Sequence, residues 1–541
     1  MLRKRWDGRL IKGQNVKVHG ISMVSNRFVT NMIRKNIFTR FELFVRPVTK
    51  ISFQCILLLL VFHGRVYGND REALNAIEAR VERFCGDCHA LPRAESFEAK
   101  DWYAKVQKGF EIYAQSGRQD LVTPSMSDVV DYYRKRAPTQ LEFQDLGPVD
   151  ESWKARFSQS KMDWRESSGY VLPAISSIQW IDLIGEPRLV VCDMRDGTVN
   201  LIHPKKSGST RSVLARLGNP ARVTLTEIGG KNGLLVADLG SFAPFDHAFG
   251  KVYSLARKSE GLDFQSEVLV ENCGRIADVA VRGAGINGPK SIVFAEFGHR
   301  DQGGILSSLA APSSRIQRSD CKVLDLRPGC LRIIPFDWDK DGALDYAALF
   351  SQQYETVELF LNRGVNFERR VLWKAPDMSF GGADLELCDL NQDGAMDLLL
   401  TNGDSFDNNY ANASHGVQWL ENRGSLRFDY HRIVSLPGAC RSRVGDVDSD
   451  GDLDVITVAH LPSTVEPLSL RNSNPVSVLL LEQTAPSVFT PRVLSRNSPK
   501  HPSVELADFD GNGKLDIAIG SLVFQSSDSD SIPRLTIWWQ D

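Results

Sequence analysis

The chain lacks the features that mark several large classes of protein. Its 541 residues carry 64 Lys and Arg against 67 Asp and Glu, so the formal charge is only −3 and nothing favours nucleic-acid binding. It has no apolar run that is long enough for a transmembrane helix, because Ile51–Phe62 is apolar over only about twelve residues. Beyond residue 170 it also has no long stretch with helical periodicity, which favours β structure.

The N-terminal segment is basic and differs from the rest of the chain. Twelve Lys or Arg occur in residues 1–50, and the short apolar run Ile51–Phe62 follows them. A basic flank before a short apolar run predicts a signal peptide, and Val66–Gly68 could be its cleavage site. The alternative is an uncleaved membrane anchor. We therefore expect a leader over residues 1–68 and a periplasmic, secreted or cell-surface protein.

Residues 70–140 have the pattern of a small helical module. Apolar residues recur at helical spacing in Leu74–Phe84, and Cys85-Gly-Asp-Cys88-His89 follows at once. CxxCH is the attachment signature of haem c, because the two thiols bind the porphyrin while the adjacent His ligates iron. The alternatives are a CxxC redox pair or a zinc pair. Zinc would need further ligands, yet no other Cys or His occurs between residues 64 and 191. We predict covalent haem c.

Met126 is the candidate for the second axial ligand of such a haem. It is the only Met between residues 33 and 161, and it precedes a segment with amphipathic helical spacing. The alternatives are that Met126 packs in the core or that the iron is five-coordinate. Pro138 ends this helical segment, and the polar residues 141–170 are expected to form a linker.

Four loops in the C-terminal half have the pattern of a calcium loop. Each has oxygen-bearing side chains at positions 1, 3, 5 and 9, and a glycine at position 6 that permits a sharp turn. An apolar β-rich run follows each loop, so the context is not that of an EF-hand, in which a helix would follow. The predicted ligands of up to four Ca²⁺ ions are Asp337, Asp339, Asp341, Asp345, Asp389, Asn391, Asp393, Asp397, Asp446, Asp448, Asp450, Asp454, Asp508, Asp510, Asn512 and Asp516.

These calcium-type loops differ in charge. Asn391 and Asn512 each replace one carboxylate, so we expect the loops that contain them to bind calcium more weakly than the two all-Asp loops. The alternative is that all four are aspartate turns that bind calcium too weakly to matter.

The loops recur at a regular interval. Their first aspartates are 52, 57 and 62 residues apart, a spacing typical of propeller blades or solenoid units. Three earlier units with paired β runs lack the aspartate cluster, and Asp193–Gly197 is at best a relic of one. Seven units predict a mainly β protein with a seven-bladed β-propeller over residues 171–541, preceded by a small all-α cytochrome c-like domain. Its six cysteines either pair in an exported protein or stay as buried thiols.

The loops and their following strands resemble the FG-GAP/VCBS repeats of integrin α-chain-type propellers. Phrases such as Phe360–Gly364 and Gly520–Phe524 look like those of bacterial secreted VCBS-repeat proteins fused to a c-type haem module. The N-terminal part resembles that module at Cys85–Pro92, at Trp102 and at Tyr132–Pro138. The resemblance covers roughly residues 75–525 and implies an architecture, because the family has no well-defined activity.

Two departures from this family bear on the predictions. Relatives often carry a Met shortly after the Trp, whereas Val106–Phe110 has none, which weakens the assignment of the distal ligand. The segment Ser463–Asn474 is shorter and more polar than the usual loop and has no aromatic residue.

Three functions are compatible with these features. The first is electron transfer, with the propeller docking a redox partner protein. The second is non-catalytic, calcium-dependent binding or adhesion to a glycan or a surface protein. The third, a periplasmic dehydrogenase with a fused cytochrome, ranks lowest because no set of base, nucleophile and oxyanion donors is evident. Asp246-His247 and His299–Asp301 could line a propeller mouth, but we predict no catalytic residue.

Overall fold

Seven antiparallel sheets follow one another around a ring, as the seven predicted units require. The computed structural model describes residues 75–164, 171–258, 261–282, 291–299, 303–308, 315–364, 366–406, 408–525 and 532–541. They belong to one unit, Asn75–Asp541. The expected leader over residues 1–68 lies outside the described residues.

The blades are numbered here in chain order. Blade 1 contains Ile175–Asp182, Pro187–Asp193, Thr198–His203 and Thr210–Arg216; blade 2 contains Pro220–Ile228, Lys231–Asp238, Gly250–Arg257 and Phe264–Cys273, with Ile316–Gln317 added in parallel. Blade 3 contains Ile276–Arg282, Ser291–Glu296, Gly304–Ser308 and Lys322–Asp325; blade 4 contains Cys330–Phe336, Asp345–Phe350, Thr356–Arg363 and Asn366–Lys374. Blade 5 contains Gly382–Cys388, Asp397–Asn402, Gly416–Asn422 and Phe428–Ser435; blade 6 contains Ala439–Gly445, Asp454–Ala459, Val476–Ala485 and Val488–Arg496. Blade 7 contains Ser503–Ala507, Asp516–Gly520, Leu535–Gln540 and Phe157–Met162.

An N-terminal strand closes the ring. Phe157–Met162 pairs antiparallel with Leu535–Gln540 and is the outermost strand of the last blade. It lies within residues 141–170, which we expected to be a linker. The residues just before it also pack on the propeller, since the backbone N–H of Asp150 donates to the Val493 carbonyl and Trp153 is buried. The structure therefore makes this segment part of the propeller.

Hydrophobicity decides which strand of a blade is buried. Second strands such as Asp345–Phe350 and Asp454–Ala459 are apolar almost throughout and are buried along their whole length. Outermost strands such as Asn366–Lys374 are largely exposed. Apolar side chains from adjacent sheets form the core, as at Ile456 and Ile517 in blades 6 and 7. This is the burial expected when sheets pack face to face around an axis.

Charged side chains fill the centre of the ring. In blades 2 to 6 the first strand has a bulge, and the residue after the bulge is charged: Arg222, Asp278, Arg332, Asp384 and Arg441. Neighbouring side chains form buried ion pairs, including Arg332 with Asp278 (2.7 Å) and Arg441 with Asp384 (2.9 Å). Arg222 reaches Asp384 at 3.3 Å, although blades 2 and 5 are not neighbours. The channel at this level is therefore occupied by protein.

A few helices precede the propeller. Residues 75–85 are helical, and Ala94–Ser96, Trp102–Gln115, Met126–Arg134 and Glu151–Lys154 follow. Among the described residues, two further short elements, Arg318–Asp320 and Leu468–Arg471, lie between strands of the propeller. Trp102 stacks on Tyr133 with ring centroids 3.8 Å apart, and Ser125 caps the helix Met126–Arg134. No helix in the described part of the chain is both long and apolar enough to cross a membrane. The helices predicted for residues 70–140 are present, while a cytochrome c-like domain remains a prediction.

The helical segment packs against blade 5. The Tyr410 hydroxyl donates to Asp101 (2.9 Å) and accepts from the backbone N–H of Glu98 (3.1 Å). The Phe97 ring contacts the Tyr410 ring at 4.9 Å, and the Ser96 hydroxyl donates to Asp377. A single loop side chain of the propeller thus makes apolar and polar contacts with the helices.

Candidate metal centres

The Asp446–Asp454 loop shows how the four calcium-type loops are built. Asp446 accepts hydrogen bonds from the backbone N–H groups of positions 5 and 6, at 3.1 and 3.0 Å. Asp454 accepts from the N–H of position 2 and from that of Gln483 on the third strand, both at 2.9 Å. Gly451 has a φ of 100°, in the left-handed region that favours glycine. Backbone hydrogen bonds thus fix the first and last carboxylates.

The other three loops repeat these bonds. Position 1 accepts from positions 5 and 6, and position 9 accepts from position 2 and from the third strand. In three loops, oxygens from positions 1, 3 and 9 lie within 4.8 Å of one another and could hold a metal ion such as Ca²⁺. These groups are Asp337, Asp339 and Asp345; Asp446, Asp448 and Asp454; and Asp508, Asp510 and Asp516. Within the described residues, the predicted position-5 ligands do not join these groups.

The loop Asp389–Asp397 forms no such group of carboxylates. The side-chain amide of Asn391 donates to Asp393 (3.1 Å) and to Glu421 (3.0 Å), so its nitrogen engages the nearby carboxylates directly. Burial raises the pKa of Asp397 to about 6. The predicted ligands of this loop are therefore close in sequence, but one of them is an amide whose N–H groups already donate hydrogen bonds to two carboxylates.

Two loops carry a basic side chain beside their carboxylates. Arg363 places Nη1 2.5 Å from Asp339 and 3.4 Å from Asp341. Lys206, from blade 1, lies 3.0 Å from Asp510. A cation entering either loop would compete with a positive charge that the chain itself provides. The sequence gives little sign of this competition, because Lys206 is some 300 residues from its partner.

The Asp446–Asp454 loop has no basic partner among the residues that the structure describes. Oδ1 of Asp448 and Oδ1 of Asp452 are buried without a hydrogen bond. Burial raises the pKa of Asp448, and the neighbouring Asp450 raises it further. Burial also raises the pKa of Asp454 to about 7. An added cation would relieve the repulsion and would pair the free oxygen of Asp448, so this loop is the strongest candidate.

The CxxCH residues lie where the first described helix ends. Cys85 is its last residue and is partly buried, Cys88 is exposed, and Arg118 donates to the Cys88 sulfur at 3.0 Å. His89 directs Nδ1 to the Ala90 carbonyl at 2.8 Å. Burial raises the pKa of the Cys85 thiol to about 11. Met126 begins a later helix and packs against the same hydrophobic cluster as Cys85.

Several other expectations can be compared with the structure. Asp193 follows the second strand of blade 1 rather than the first, and it pairs with Arg534 at 3.1 Å, so it is no relic of a calcium loop. His247 is buried, and its ring nitrogens bond Ser241 and the Phe249 N–H, which makes it a loop-building residue. Arg300 and Asp301 lie outside the described residues. The eight described cysteines are free thiols.

Residues 337–400 match the FG-GAP-like repeat family. The match spans the loops Asp337–Asp345 and Asp389–Asp397 with the strands between them. The fold is that of a seven-bladed β-propeller, and its residues 337–400, in blades 4 and 5, are similar to an FG-GAP-like repeat. No curated protein matches the chain. One solved structure that it resembles is described as "Crystal structure of BBS1N in complex with ARL6DN, soaked with mercury", with 13% identity, 70% of this chain and 97% of that chain covered, and a TM-score of 0.39.

Proposed function

We propose that this protein is a non-catalytic binding protein whose propeller is stabilised by calcium and which works outside the cytoplasm. The observation that carries the proposal is the Asp446–Asp454 loop, where unpaired buried oxygens and an absence of basic partners among the described residues call for a cation. The basic leader followed by a short apolar run supports export. Extracellular fluids hold enough calcium to fill sites of modest affinity.

The calcium-type loops and the loops between second and third strands lie on opposite faces of the ring. Each calcium-type loop joins the first strand of a blade to the second, on what we term the calcium face. Because neighbouring strands are antiparallel, the loops between second and third strands lie on the other face, the recognition face. The helices pack on that face too, through Tyr410. Calcium would thus brace one face while the other meets a partner.

Calcium binding is tested on the full chain by calorimetric titration and by thermal unfolding in calcium and in EDTA. We expect calcium to raise the melting temperature and Asp448→Asn to weaken the tightest site. The matched control is Asp131→Asn, because Asp131 is an exposed carboxylate on a helix. The proposal would be overturned if the unaltered chain showed no heat of calcium binding and no shift in melting temperature.

The binding function needs its own measurement. Co-sedimentation with purified bacterial envelope fragments, in calcium and in EDTA, should show binding that depends on calcium. Fragments treated with protease serve as a second probe, since their glycans survive while exposed proteins do not. If neither intact nor treated fragments bind the chain in calcium, the binding proposal is wrong.

Electron transfer is a second candidate, and the geometry of His89 favours it. Its Nδ1 is engaged by the Ala90 carbonyl, which leaves Nε2 as the nitrogen that could ligate iron. Cys85 and Cys88 would hold haem c as thioethers, and Met126 remains the candidate for the distal ligand. A bound haem c would supply one-electron redox chemistry. The donor set fits this group, and the Phe84, Phe110 and Tyr113 rings lie nearby.

Expression with a haem c maturation system tests the second candidate. Covalent haem c would give sharp reduced α and β bands that survive acid–acetone extraction, and a Cys85→Ser, Cys88→Ser variant should lose them. A weak far-red band in the oxidised protein that disappears in Met126→Ala would identify the distal ligand. A chain without retained haem would rule out electron transfer through CxxCH and leave the binding function untouched.

A further inference from the structure

Aromatic rings from several blades meet over the centre of the recognition face. The Phe524 ring of blade 7 lies 5.9 Å from Phe242 of blade 2 and 5.5 Å from Phe406 of blade 5. The His460 ring of blade 6 lies 4.7 Å from Phe406 and 5.8 Å from Phe524. All four residues follow the second strands of their blades. We term this group the aromatic mouth.

The aromatic mouth must lie over the ring axis. Blade 7 does not adjoin blade 2 or blade 5, so rings from these blades can touch only if their loops lean inwards. The charged side chains at the level of Asp384 fill the channel below it. The mouth is therefore a shallow site with a closed floor and is not the entrance to a tunnel.

Two of the four rings of the aromatic mouth are exposed to solvent. Phe406 is 39% exposed and Phe524 is 45% exposed, although removing apolar surface from water is favourable. A group of exposed rings at one place marks a recognition site more often than chance. Aromatic faces offer stacking surface to a flat partner at little cost in conformational entropy.

Polar groups without partners lie in the same loops. Ser405 precedes Phe406, Ser521 lies three residues before Phe524, and both hydroxyls are buried without a hydrogen bond. His460 is 1% exposed, its Nε2 bonds the Leu522 carbonyl at 3.1 Å, and its Nδ1 has no partner. Buried polar atoms are almost always paired in folded proteins, so a cluster of exceptions calls for a ligand or ordered water.

The chemistry of the mouth favours a neutral ligand with both apolar and hydroxyl surfaces. Arg195 lies over the Phe242 ring at 4.3 Å and is anchored by the Val523 carbonyl at 2.7 Å. This fixed positive charge disfavours a cationic ligand such as a quaternary ammonium group. An aliphatic ligand would leave the serine and histidine atoms unpaired. A pyranose ring presents C–H groups on one face and hydroxyls at its edge, and it satisfies both requirements.

We propose that the aromatic mouth is a saccharide-binding subsite, in which Phe406 and Phe524 stack on a neutral pyranose ring and Ser405, Ser521 and His460 meet its hydroxyls. The proposal rests on the proposed binding function and gives its ligand class. Ser405 and Ser521 are buried, so the proposal requires the exposed rings of Phe406 and Phe524 to rotate before these hydroxyls can reach the sugar.

Binding of the full chain to immobilised neutral oligosaccharides of glucose, xylose, mannose and N-acetylglucosamine tests the proposal, in calcium. We expect at least one to bind, and Phe406→Ala and Phe524→Ala each to weaken it about tenfold, as truncation of a central aromatic contact commonly does. Phe406→Tyr keeps the stacking face and should restore most of the affinity. Tyr103→Ala removes an exposed ring from a helix and is the control.

The possible failures can be told apart. If no oligosaccharide binds while the chain still takes up calcium and sediments with envelope fragments, the saccharide proposal is wrong and the binding function stands. Loss of envelope binding after protease treatment would indicate a protein partner, and it would likewise overturn the saccharide proposal while the binding function stands. If aromatic variants bind sugar as tightly as Tyr103→Ala, the site lies elsewhere and the assignment of the mouth is overturned.

Discussion

Removing Arg363 should strengthen calcium binding at the loop Asp337–Asp345. Sequence composition alone ranks this loop with Asp446–Asp454, because both have aspartates at all four positions. The structure separates them, since the Arg363 guanidinium contacts Asp339 and Asp341. A calcium ion must displace that guanidinium before it gains the same oxygens. We therefore expect Asp446–Asp454 to fill first.

The size of the effect follows from exposure. The Arg363 side chain is 37% exposed, so water screens its ion pairs strongly. Exposed pairs of this kind are weak, and releasing one should improve calcium affinity by about three- to fivefold in Arg363→Gln. The gain should shrink as salt is added, because the Debye length falls to about 10 Å at 0.1 M ionic strength. Arg93→Gln is the control, since Arg93 is an exposed arginine that pairs with Glu95 in the helical segment.

Terbium luminescence can report on this loop. Tb³⁺ uses the oxygen ligands of calcium and emits when a nearby tryptophan is excited, and Trp338 directly follows Asp337. The part of the signal that is lost in Trp338→Phe belongs to the loop Asp337–Asp345. Displacement of Tb³⁺ by calcium then gives the affinity with Arg363 present and absent. Equal affinities in Arg363→Gln and Arg93→Gln, or a weaker site in the former, would refute the competition.

Three further predictions concern stability. Asp384→Asn removes the carboxylate that the channel arginines share, and these arginines hold the pKa of Asp384 far below its ordinary value despite burial. The substitution should therefore lower the free energy of unfolding, measured in urea, by about 3–5 kcal/mol. A change below about 1 kcal/mol would contradict this. Burial lowers the pKa of His415 to about 3, whereas an unfolded His titrates near pH 6.5. The unfolded chain therefore binds a proton below pH 6.5 that folded His415 does not, and the free energy of unfolding should fall by about 2 kcal/mol as the pH falls from above 6.5 to 5. This pH dependence should be weaker in His415→Gln, and an unchanged dependence would contradict the reasoning. Because burial raises the pKa of Asp454 from its ordinary value to about 7, the chain in EDTA should lose stability as the pH rises from about 4 to about 7. Calcium must displace the Asp454 proton at pH 6 but not at pH 8, so the calcium-dependent shift in melting temperature should be larger at pH 8; equal shifts would count against this reasoning.

Local sequence patterns predicted the parts of the fold that depend on local chemistry. Aspartates at alternate positions, a glycine at position 6 and an apolar run after each loop sufficed to place the second strands of blades 4 to 7 and the carboxylates at their ends. Both the hydrogen-bonding pattern and the hydrophobic run are determined within about fifteen residues. The same reasoning placed the helix Met126–Arg134 and its end before Pro138.

Contacts between distant segments could not be read in this way. Phe157–Met162 is a polar outer strand that resembles a linker until its partner Leu535–Gln540 is known. Lys206 and Arg363 change the charge of loops that are far from them in the sequence or on another strand. The aromatic mouth depends on loops whose rings are between 54 and 282 residues apart in the sequence. A sequence pattern identifies these side chains but does not show which of them converge.

The alternation of charge around the centre has a consequence that follows from parity. Signs can alternate without conflict only around an even number of positions, and this ring has seven. The alternation of charge from Arg222 to Arg441 must therefore be interrupted somewhere, and the interruption lies at blades 7 and 1. Glu505 of blade 7 pairs with Arg443 of the preceding blade 6, and blade 1 contributes the uncharged hydroxyl of Ser177. That break coincides with the junction where the N-terminal strand closes the ring. The junction thus relies on strand pairing, apolar packing and the buried pair of Arg534 with Asp193 rather than on the central charges.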